Sequence, residues 1–261
     1  MADESADTAV RVDRQGGVAT ITLTRPALSA AAKAALRDVL AEVSSDEEVR
    51  AVVLTGTGKA FCIGQDLGAH AAALETDPDT AFATIEEHYN PIVTALATMP
   101  KPVVAAINGT CVGAGLGFAL ACDVRIAAEQ ARFGTAFTGI GLAPDSGLSV
   151  TLARAVGVAR ASELLLLAEP FTAAEALTWG VVGSVVPHDD LPTAAQRVAA
   201  KLAAGPTRAY AETKAAVAAA FPLAEALDRE GAAQTRLGRT ADHQGAVKAF
   251  LGKTRPEFSG R

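Results

Sequence analysis

Residues Lys101 to Ala128 read KPVVAAINGTCVGAGLGFALACDVRIAA, and this stretch decides the fold. Val103 to Ile107 is a short apolar run rich in β-branched residues, closed by Asn108-Gly109, and it predicts a buried strand. The small residues from Gly113 to Gly117 then open an apolar helix, and Val124 to Ala128 predicts a second strand. The stretch therefore predicts a strand, a small-residue turn, an apolar helix and another strand.

The turn that opens this helix is a candidate site for a negatively charged oxygen. Small residues let another group approach the backbone, and the first N–H groups of a helix have no partner inside it. A dinucleotide fingerprint is excluded, because Gly113-x-Gly115 is followed by Gly117 and Phe118 and the G-x-G-x-x-G spacing fails. Close packing and an oxyanion site remain as alternatives from this stretch alone.

Composition bounds the class of protein. The chain has 261 residues, of which 50% are hydrophobic and 20% charged, with a formal net charge of −6. This length can bury a large core, and one domain with a C-terminal appendage is as compatible with it as two domains. The acidic balance gives no electrostatic reason to expect nucleic acid or an anionic membrane as partner.

Cysteine and histidine usage predicts a reducing compartment and no metal site. Cys62, Cys111 and Cys122 form no CxxC pair, and an odd number argues against a disulfide framework, so we expect a cytoplasmic protein. The four histidines are scattered, and none belongs to an HExxH pattern. The N-terminus lacks a basic start and an apolar segment, and no run is long enough to span a membrane.

Strands and helices alternate before the central stretch. Val18 to Thr24 alternates as a strand should, Ser29 is placed to cap a helix that runs to about Val43, and Val49 to Thr55 is a buried strand. Between Thr80 and Thr98 the pattern predicts a helix interrupted at Asn90-Pro91, whose acidic residues lie on a solvated face.

Helices dominate after the central stretch, which indicates an α/β core with a helical C-terminal layer. The predicted helices cover about 148–156, 159–168, 173–179 and, from Leu191 to about Phe250, a helical region broken at Gly205-Pro206 and Phe221-Pro222. A short strand is predicted at Gly183 to Val186.

Two other loops carry candidate chemistry. Gly64 directly precedes Gln65-Asp66, so the backbone there can adopt a conformation that exposes the N–H of Gln65, and we expect Asp66 to cap the helix that follows. Asp145 lies in a Pro-Asp-Ser-Gly turn, and by its local sequence alone it is a turn or helix-cap residue.

Taken in order, these segments resemble the crotonase family, the enoyl-CoA hydratase/isomerase superfamily. The resemblance covers almost the whole chain and is carried by RPALSAAAKAAL, GKAFCIGQDL, the Lys101–Ala128 stretch, PDSG, AEALTWGVVGSVVP and AFLGKTRPEF. It implies an α/β spiral of ββα units over residues 1–200 and a C-terminal helical trimerisation region over 201–261. It also implies an acyl-CoA thioester as substrate, no separate cofactor, and a homotrimer or a dimer of trimers.

The resemblance assigns roles to residues of this chain. The two backbone N–H groups that hold the thioester oxygen would be those of Gln65 and Ala114. The substrate-binding positions that it implies are Ala27, Leu28, Ala60, Ile63, Asp66, Leu67, Gly113, Gly117, Phe137, Leu142, Phe250 and Lys253. Lys253 could equally be a solvated charge near the C-terminus.

The chain departs from the hydratase pattern. Typical members place two glutamates over the double bond, and those positions are Gly117 and Phe137 here, neither of which can transfer a proton. Asp145 instead matches the aspartate of the branch that contains the epoxyphenylacetyl-CoA and enoyl-CoA isomerases, and its apolar flanks would raise its affinity for a proton. The resemblance thus favours an isomerase with Asp145 as general base. A hydratase or lyase-type enzyme and a non-catalytic acyl-CoA-binding protein remain alternatives.

Overall fold

The computed structural model describes residues 9–77, 81–219 and 231–261, and within them the chain forms two β-sheets surrounded by helices. The larger sheet contains, in spatial order, β1 (Val10–Gln15), β2 (Val18–Leu23), β3 (Ala51–Gly56), β5 (Val103–Ile107), β7 (Val124–Ala128) and β10 (Ser184–Val186). The smaller sheet contains β4 (Ala60–Cys62), β6 (Thr110–Val112), β8 (Arg132–Gly134) and β9 (Phe171–Thr172).

Helices follow the strands along the chain. They are α1 (Ala30–Ser45), α2 (Leu67–Thr76), α3 (Asn90–Thr98), α4 (Ala114–Ala121), α5 (Leu148–Val156), α6 (Val158–Leu167), α7 (Ala173–Trp179), α8 (Leu191–Ala203), α9 (Thr207–Ala219) and a final helix at Ala241–Leu251. A π-helical turn at Ile85–Tyr89 leads directly into α3, and 3₁₀ turns lie at Thr138–Ile140 and His188–Asp190.

Successive strand pairs build a spiral. β3 and β4, β5 and β6, and β7 and β8 each give one strand to the larger sheet and the next to the smaller one, and helices follow each pair. Neighbouring turns of the spiral pair in parallel, since β3 pairs with β5 and β5 with β7. The predicted α/β spiral of ββα units is therefore confirmed.

Strand periodicity divides the larger sheet between two cores. In β3, Val52 and Leu54 belong to the main core under the helices, whereas Ala51 and Val53 face a second core. The second core is closed by the apolar side of α8, including Leu191 and Ala195. Both faces of the sheet are thus covered, as expected of strands that are apolar on both sides.

Most predicted elements are confirmed, with small shifts at their ends. The strands at 103–107 and 124–128 and the helices at 148–156 and 173–179 have the predicted bounds. Ser29 caps α1 by accepting a hydrogen bond from the Ala32 N–H at 3.2 Å. The predicted break at Gly205-Pro206 separates α8 from α9, and the one at Phe221-Pro222 lies outside the described residues.

Several features were not predicted. The sequence analysis missed β1 and every strand of the smaller sheet, because those strands are only two or three residues long and β1 carries mostly polar residues. The predicted domain boundary at 200 falls inside α8, and the division of the chain into two regions stays a prediction. No helix in the described ranges combines the length and apolar character needed to cross a membrane.

Candidate active site

The loop after β4 is held so that the N–H of Gln65 points away from its neighbouring strand. Leu28 forms a parallel bridge with Gln65: the Leu28 N–H donates to the Gly64 oxygen at 2.8 Å, and the Asp66 N–H donates to the Leu28 oxygen at 3.3 Å. In such a bridge the residue between the two bonded neighbours, here Gln65, directs its own N–H to the side away from Leu28. Gly64 makes the required turn with a φ of +80°, a conformation that favours glycine.

The start of α4 provides a second N–H that has no acceptor among the described residues. Gly113 is its N-cap residue, with φ +59° and ψ −126°, and it has no side chain that could cap the helix. The N–H groups of Leu116 and Gly117 both donate to the Gly113 oxygen. Among the described residues, no acceptor is found for the N–H of Gln65 or of Ala114.

These two loops meet. A Cβ atom built on Gly64 would lie 3.5 Å from the Ala114 nitrogen and 3.6 Å from the Val112 oxygen. The residue before Gln65 therefore packs directly on the first residue of α4, and the two free N–H groups belong to touching segments. Paired backbone donors of this kind can hold an oxygen that gains negative charge.

The glycines inside α4 have a packing role as well. A Cβ on Gly115 would lie 2.2 Å from the Cys62 oxygen, and one on Gly117 would lie 2.7 Å from the Cβ of Ser146. Close packing, one of the two alternatives left open by the sequence, therefore applies to the glycines of this helix. The oxyanion role of its first N–H stays a prediction. Because Ser146 occupies the space above Gly117, a longer side chain at that position would displace the 144–147 turn.

Asp145 lies in this turn, half-buried beside the start of α5. Burial raises the pKa of its carboxyl group, and the hydrogen bond that it accepts from the Ser146 hydroxyl at 2.7 Å opposes that rise. The N-cap of α5 is Gly147, and no side chain caps this helix. The helix-cap explanation for Asp145 is therefore not supported. Ser146 is held at a φ of +53°, a strained conformation for a residue other than glycine.

A cavity of about 130 Å³ brings the three predicted catalytic positions together, because Gln65, Ala114 and Asp145 all line it. Five predicted substrate-binding residues also line it: Ile63, Leu67, Gly113, Phe137 and Leu142. Small-molecule sites usually measure roughly 300–1,000 Å³. The enclosed space is thus of a size for the acyl end of a larger ligand.

The other predicted positions lie elsewhere. Asp66 caps α2 by accepting hydrogen bonds from the N–H groups of Gly68 and Ala69, as expected from the sequence. Those that do not line the cavity are Ala27, Leu28, Ala60, Asp66, Gly117 and Lys253. The backbone of Phe250 belongs to the final helix, and its side chain lies outside the described part of the structure.

The structure adds residues that the sequence analysis did not assign to the site. Helix α2 contributes His70 to the cavity wall, and the segment between α2 and α3 contributes Phe82, Thr84, Ile85 and Tyr89. Thr135, Ala136 and Ile140 also line the cavity. The sequence of residues 68–90 has no periodic pattern that singles out the residues that line the cavity. Glu86 and Glu87 are exposed, which confirms their predicted solvated face.

A spiral fold with two neighbouring backbone N–H donors, here those of Gln65 and Ala114, is typical of a class of enzymes that act on acyl thioesters. Comparison with known proteins identifies the family. The enoyl-CoA hydratase/isomerase family model matches residues 13–261, so the chain belongs to that family, within the crotonase superfamily.

Relatives within the family differ in activity. The 1,2-epoxyphenylacetyl-CoA isomerase of Escherichia coli is 40% identical, over 94% of this chain and 96% of its own length. A Rhodobacter capsulatus protein with a provisional enoyl-CoA hydratase name is 44% identical, over 97% of this chain and 98% of its own. A solved structure from Bacillus anthracis, an enoyl-CoA hydratase, matches with a TM-score of 0.91 at 33% identity, covering 97% of this chain and all of its own. The names include both hydratases and isomerases.

Proposed function

We propose that this protein is an acyl-CoA isomerase that moves a double bond next to the thioester, with Asp145 as its general base. The observation that carries the proposal is that Asp145, Gln65 and Ala114 line one small, mostly apolar cavity, and that the N–H groups of Gln65 and Ala114 have no acceptor among the described residues. A 1,3-proton shift needs one base and a stabilised enolate, and this cavity offers one carboxylate and two backbone donors. The provisional hydratase and the isomerase among the relatives are similar enough that the family alone does not choose between the reactions.

The chemistry of each step follows from these groups. The Asp145 carboxylate removes a proton from C2 of a 3-enoyl thioester, and the electron pair moves onto the thioester oxygen to give a dienolate. The N–H groups of Gln65 and Ala114 hold that oxygen, and each such donor typically accounts for roughly two to three orders of magnitude in rate. Asp145 then returns the proton to C4, which leaves the double bond between C2 and C3.

The environment of Asp145 suits a base. Burial raises the pKa of its carboxyl group, which strengthens its affinity for a proton at the working pH. Ser146 holds one carboxylate oxygen at 2.7 Å, which fixes the orientation of the group. The other two titratable residues that line the described cavity are His70 and Tyr89. Since burial raises the pKa of Tyr89, its hydroxyl stays protonated and cannot act as the base.

The packing of Ser146 on Gly117 and the position of Phe137 in the cavity wall speak against ordinary hydration. Hydration needs a group that activates water, and these two positions offer none. A hydratase or lyase in which Asp145 alone directs a water molecule is the second candidate, supported by the hydratase names among the relatives. A homotrimer or a dimer of trimers, with Phe250 and Lys253 reaching the CoA part of the ligand, belongs to the same proposal.

The test is a paired assay with purified protein. Isomerisation of 3-hexenoyl-CoA and hydration of crotonyl-CoA are each followed for the wild type, Asp145→Asn and Asp123→Asn. Asp123 is a matched control, because it is a partly buried carboxylate paired with Lys214 at 2.9 Å and lies outside the cavity. We expect Asp145→Asn to lower kcat for isomerisation by roughly 10²- to 10⁴-fold with little change in KM, and Asp123→Asn to retain activity.

Three outcomes would contradict the proposal. Isomerisation that survives in Asp145→Asn would remove the base from the mechanism. Hydration that is faster than isomerisation in the wild type and lost in Asp145→Asn would favour the second candidate. A protein that binds hexanoyl-CoA and catalyses neither reaction would point to the non-catalytic alternative.

A further inference from the structure

Three polar side chains form a hydrogen-bonded chain in the wall of the mostly apolar cavity. The Tyr89 hydroxyl lies 3.4 Å from Oε1 of Gln65, and Nε2 of Gln65 lies 3.2 Å from Nδ1 of His70. All three residues line the cavity, beside apolar neighbours such as Ile63 and Ile85. Polar groups in an apolar site cost free energy unless they are hydrogen-bonded, so a ligand that displaces water from this cavity must offer the end of the chain a partner.

The direction of these hydrogen bonds can be read from Tyr89. The Tyr89 side chain is 1% exposed, and burial raises its pKa, so the hydroxyl keeps its hydrogen. It therefore donates to the Gln65 carbonyl oxygen, which fixes the orientation of the amide. The amide NH₂ then faces His70 and donates to Nδ1, so the neutral imidazole carries its hydrogen on Nε2.

The remaining nitrogen of His70 is free for a ligand. Nδ1 is occupied by Gln65, and the ring packs edge-on against Phe82 with centroids 5.2 Å apart. Within the described residues no protein group accepts a hydrogen bond from Nε2. Thr84 and Thr135 do not compete for it, because the Thr84 hydroxyl contacts Lys33 and His88 and the Thr135 hydroxyl donates to the Leu164 oxygen.

We infer that His70 is a specificity-determining residue whose Nε2–H binds an acceptor oxygen carried by the acyl group, such as an ether, epoxide or carbonyl oxygen. This inference rests on the proposed function in one respect, namely that the cavity receives the acyl end of a CoA thioester. Gln65 links the two parts of the site, since its backbone N–H faces the thioester oxygen while its side chain orients His70. The substrate class is thus oxygen-bearing acyl-CoA thioesters, preferred over plain hydrocarbon chains of the same length.

The test measures binding with unreactive thioesters. Heptanoyl-CoA is compared by calorimetry with three analogues in which an ether oxygen replaces the methylene at position 4, 5 or 6 of the acyl chain. For the wild type we expect at least one analogue to bind about tenfold more tightly than heptanoyl-CoA, the effect of one neutral hydrogen bond. Without a donor an ether oxygen in an apolar cavity binds more weakly than a methylene, so the order should reverse in His70→Leu.

Two further variants keep the test decisive. His70→Gln places an amide N–H near the position of Nε2 and should retain part of the preference. Tyr89→Phe removes the hydroxyl that orients the Gln65 amide, so the preference should shrink even if His70→Leu fails to fold. The inference is overturned if no ether analogue binds more tightly than heptanoyl-CoA to the wild type, or if the preference is unchanged in both His70→Leu and Tyr89→Phe.

The isomerase assay separates this result from the proposed function. A preference for an ether analogue without isomerisation of 3-hexenoyl-CoA would support the His70 subsite and contradict the isomerase proposal. Isomerisation of 3-hexenoyl-CoA without any preference for an ether analogue would support the isomerase proposal and contradict the His70 subsite. Failure of every thioester to bind would overturn both.

Discussion

Helices α2 and α4 both start at a loop of the candidate active site, and they are built in opposite ways. Every residue of α4 is buried, whereas no residue of α2 is. The N-terminus of α2 is closed by the Asp66 carboxylate, which accepts hydrogen bonds from two N–H groups. The N-terminus of α4 has Gly113 in the same position, so its first N–H is left without a side-chain cap.

The N-terminal donors of α2 are thus satisfied by a side chain of its own sequence, whereas the first donor of α4 is left free for the ligand that we propose. A capping side chain satisfies donors that would otherwise need water or a ligand. At α2 the cap keeps the rim of the cavity folded with little help from the core. At α4 the missing cap leaves a donor and a positive helix end facing the cavity, held rigid because the rest of the helix is packed.

Among the substitutions that test this contrast between α2 and α4, Gly113→Ala should have the largest effect on activity. In Gly113→Ala the Cβ has room, since its nearest contacts would be 3.9 Å and 4.0 Å away, but the backbone at φ +59° and ψ −126° is strained for alanine. We expect the start of α4 to shift and kcat/KM for isomerisation to fall by roughly 10²- to 10³-fold, as for the loss of one oxyanion donor.

Gly16→Ala is the control for this strain. Gly16 has a φ of +57° in the exposed turn between β1 and β2, and nothing lies within 4 Å of an added Cβ. This variant should lose about 1 kcal/mol of stability with unchanged kcat/KM. Equal activity in Gly113→Ala and the wild type would show that the open N-terminus of α4 has no part in the reaction.

The same glycine-to-alanine change should affect stability differently in the two helices. In Gly115→Ala the Cβ would lie 2.2 Å from the Cys62 oxygen, which is backbone and cannot rotate away, so we expect a loss of about 3 kcal/mol. In Gly68→Ala the nearest atom is Oδ1 of Asp66 at 3.3 Å, the end of a partly exposed side chain. The unfolding free energy of Gly68→Ala should therefore stay within about 0.5 kcal/mol of that of the wild type. Urea unfolding of both variants checks this, and similar losses would contradict the contrast.

Ser146→Ala should have a smaller effect on activity. It tests how the 144–147 turn, which packs on α4, sets the pKa of Asp145, the proposed base. The Ser146 hydroxyl stabilises the Asp145 carboxylate and lowers its pKa against the effect of burial. Its removal should raise that pKa further, and because the reaction needs the carboxylate, the acidic limb of the kcat/KM profile should move to higher pH. Alanine keeps the Cβ that packs over Gly117, and Ser149→Ala on the exposed side of α5 serves as control. A shift to lower pH would contradict this account of Asp145.

Local sequence predicted the elements that have a strong pattern of their own. β5 was predicted because a continuous apolar run bounded by turn residues suffices to mark a buried strand, and β7 because its run is apolar apart from Arg125. The Ser29 and Asp66 caps were predicted because a capping side chain lies next to the helix that it serves. The strands of the smaller sheet were missed because two or three residues carry no periodicity, and each exists only through its pairing with the next turn of the spiral.

The features of the candidate site also fall into those that local sequence predicts and those that depend on tertiary contacts. The sequence by itself, through its motifs and their order, determined the family, and it led to the proposals that the loops around Gln65 and Ala114 supply donors and that Asp145 acts in place of the absent glutamates. Only the tertiary structure decided that Ser146 fills the space above Gly117 and that His70, Gln65 and Tyr89 form one chain in the cavity wall. The physical reason is that a turn or cap depends on neighbours along the chain, whereas these contacts join residues from separate segments, and their distances exist only once the spiral has closed.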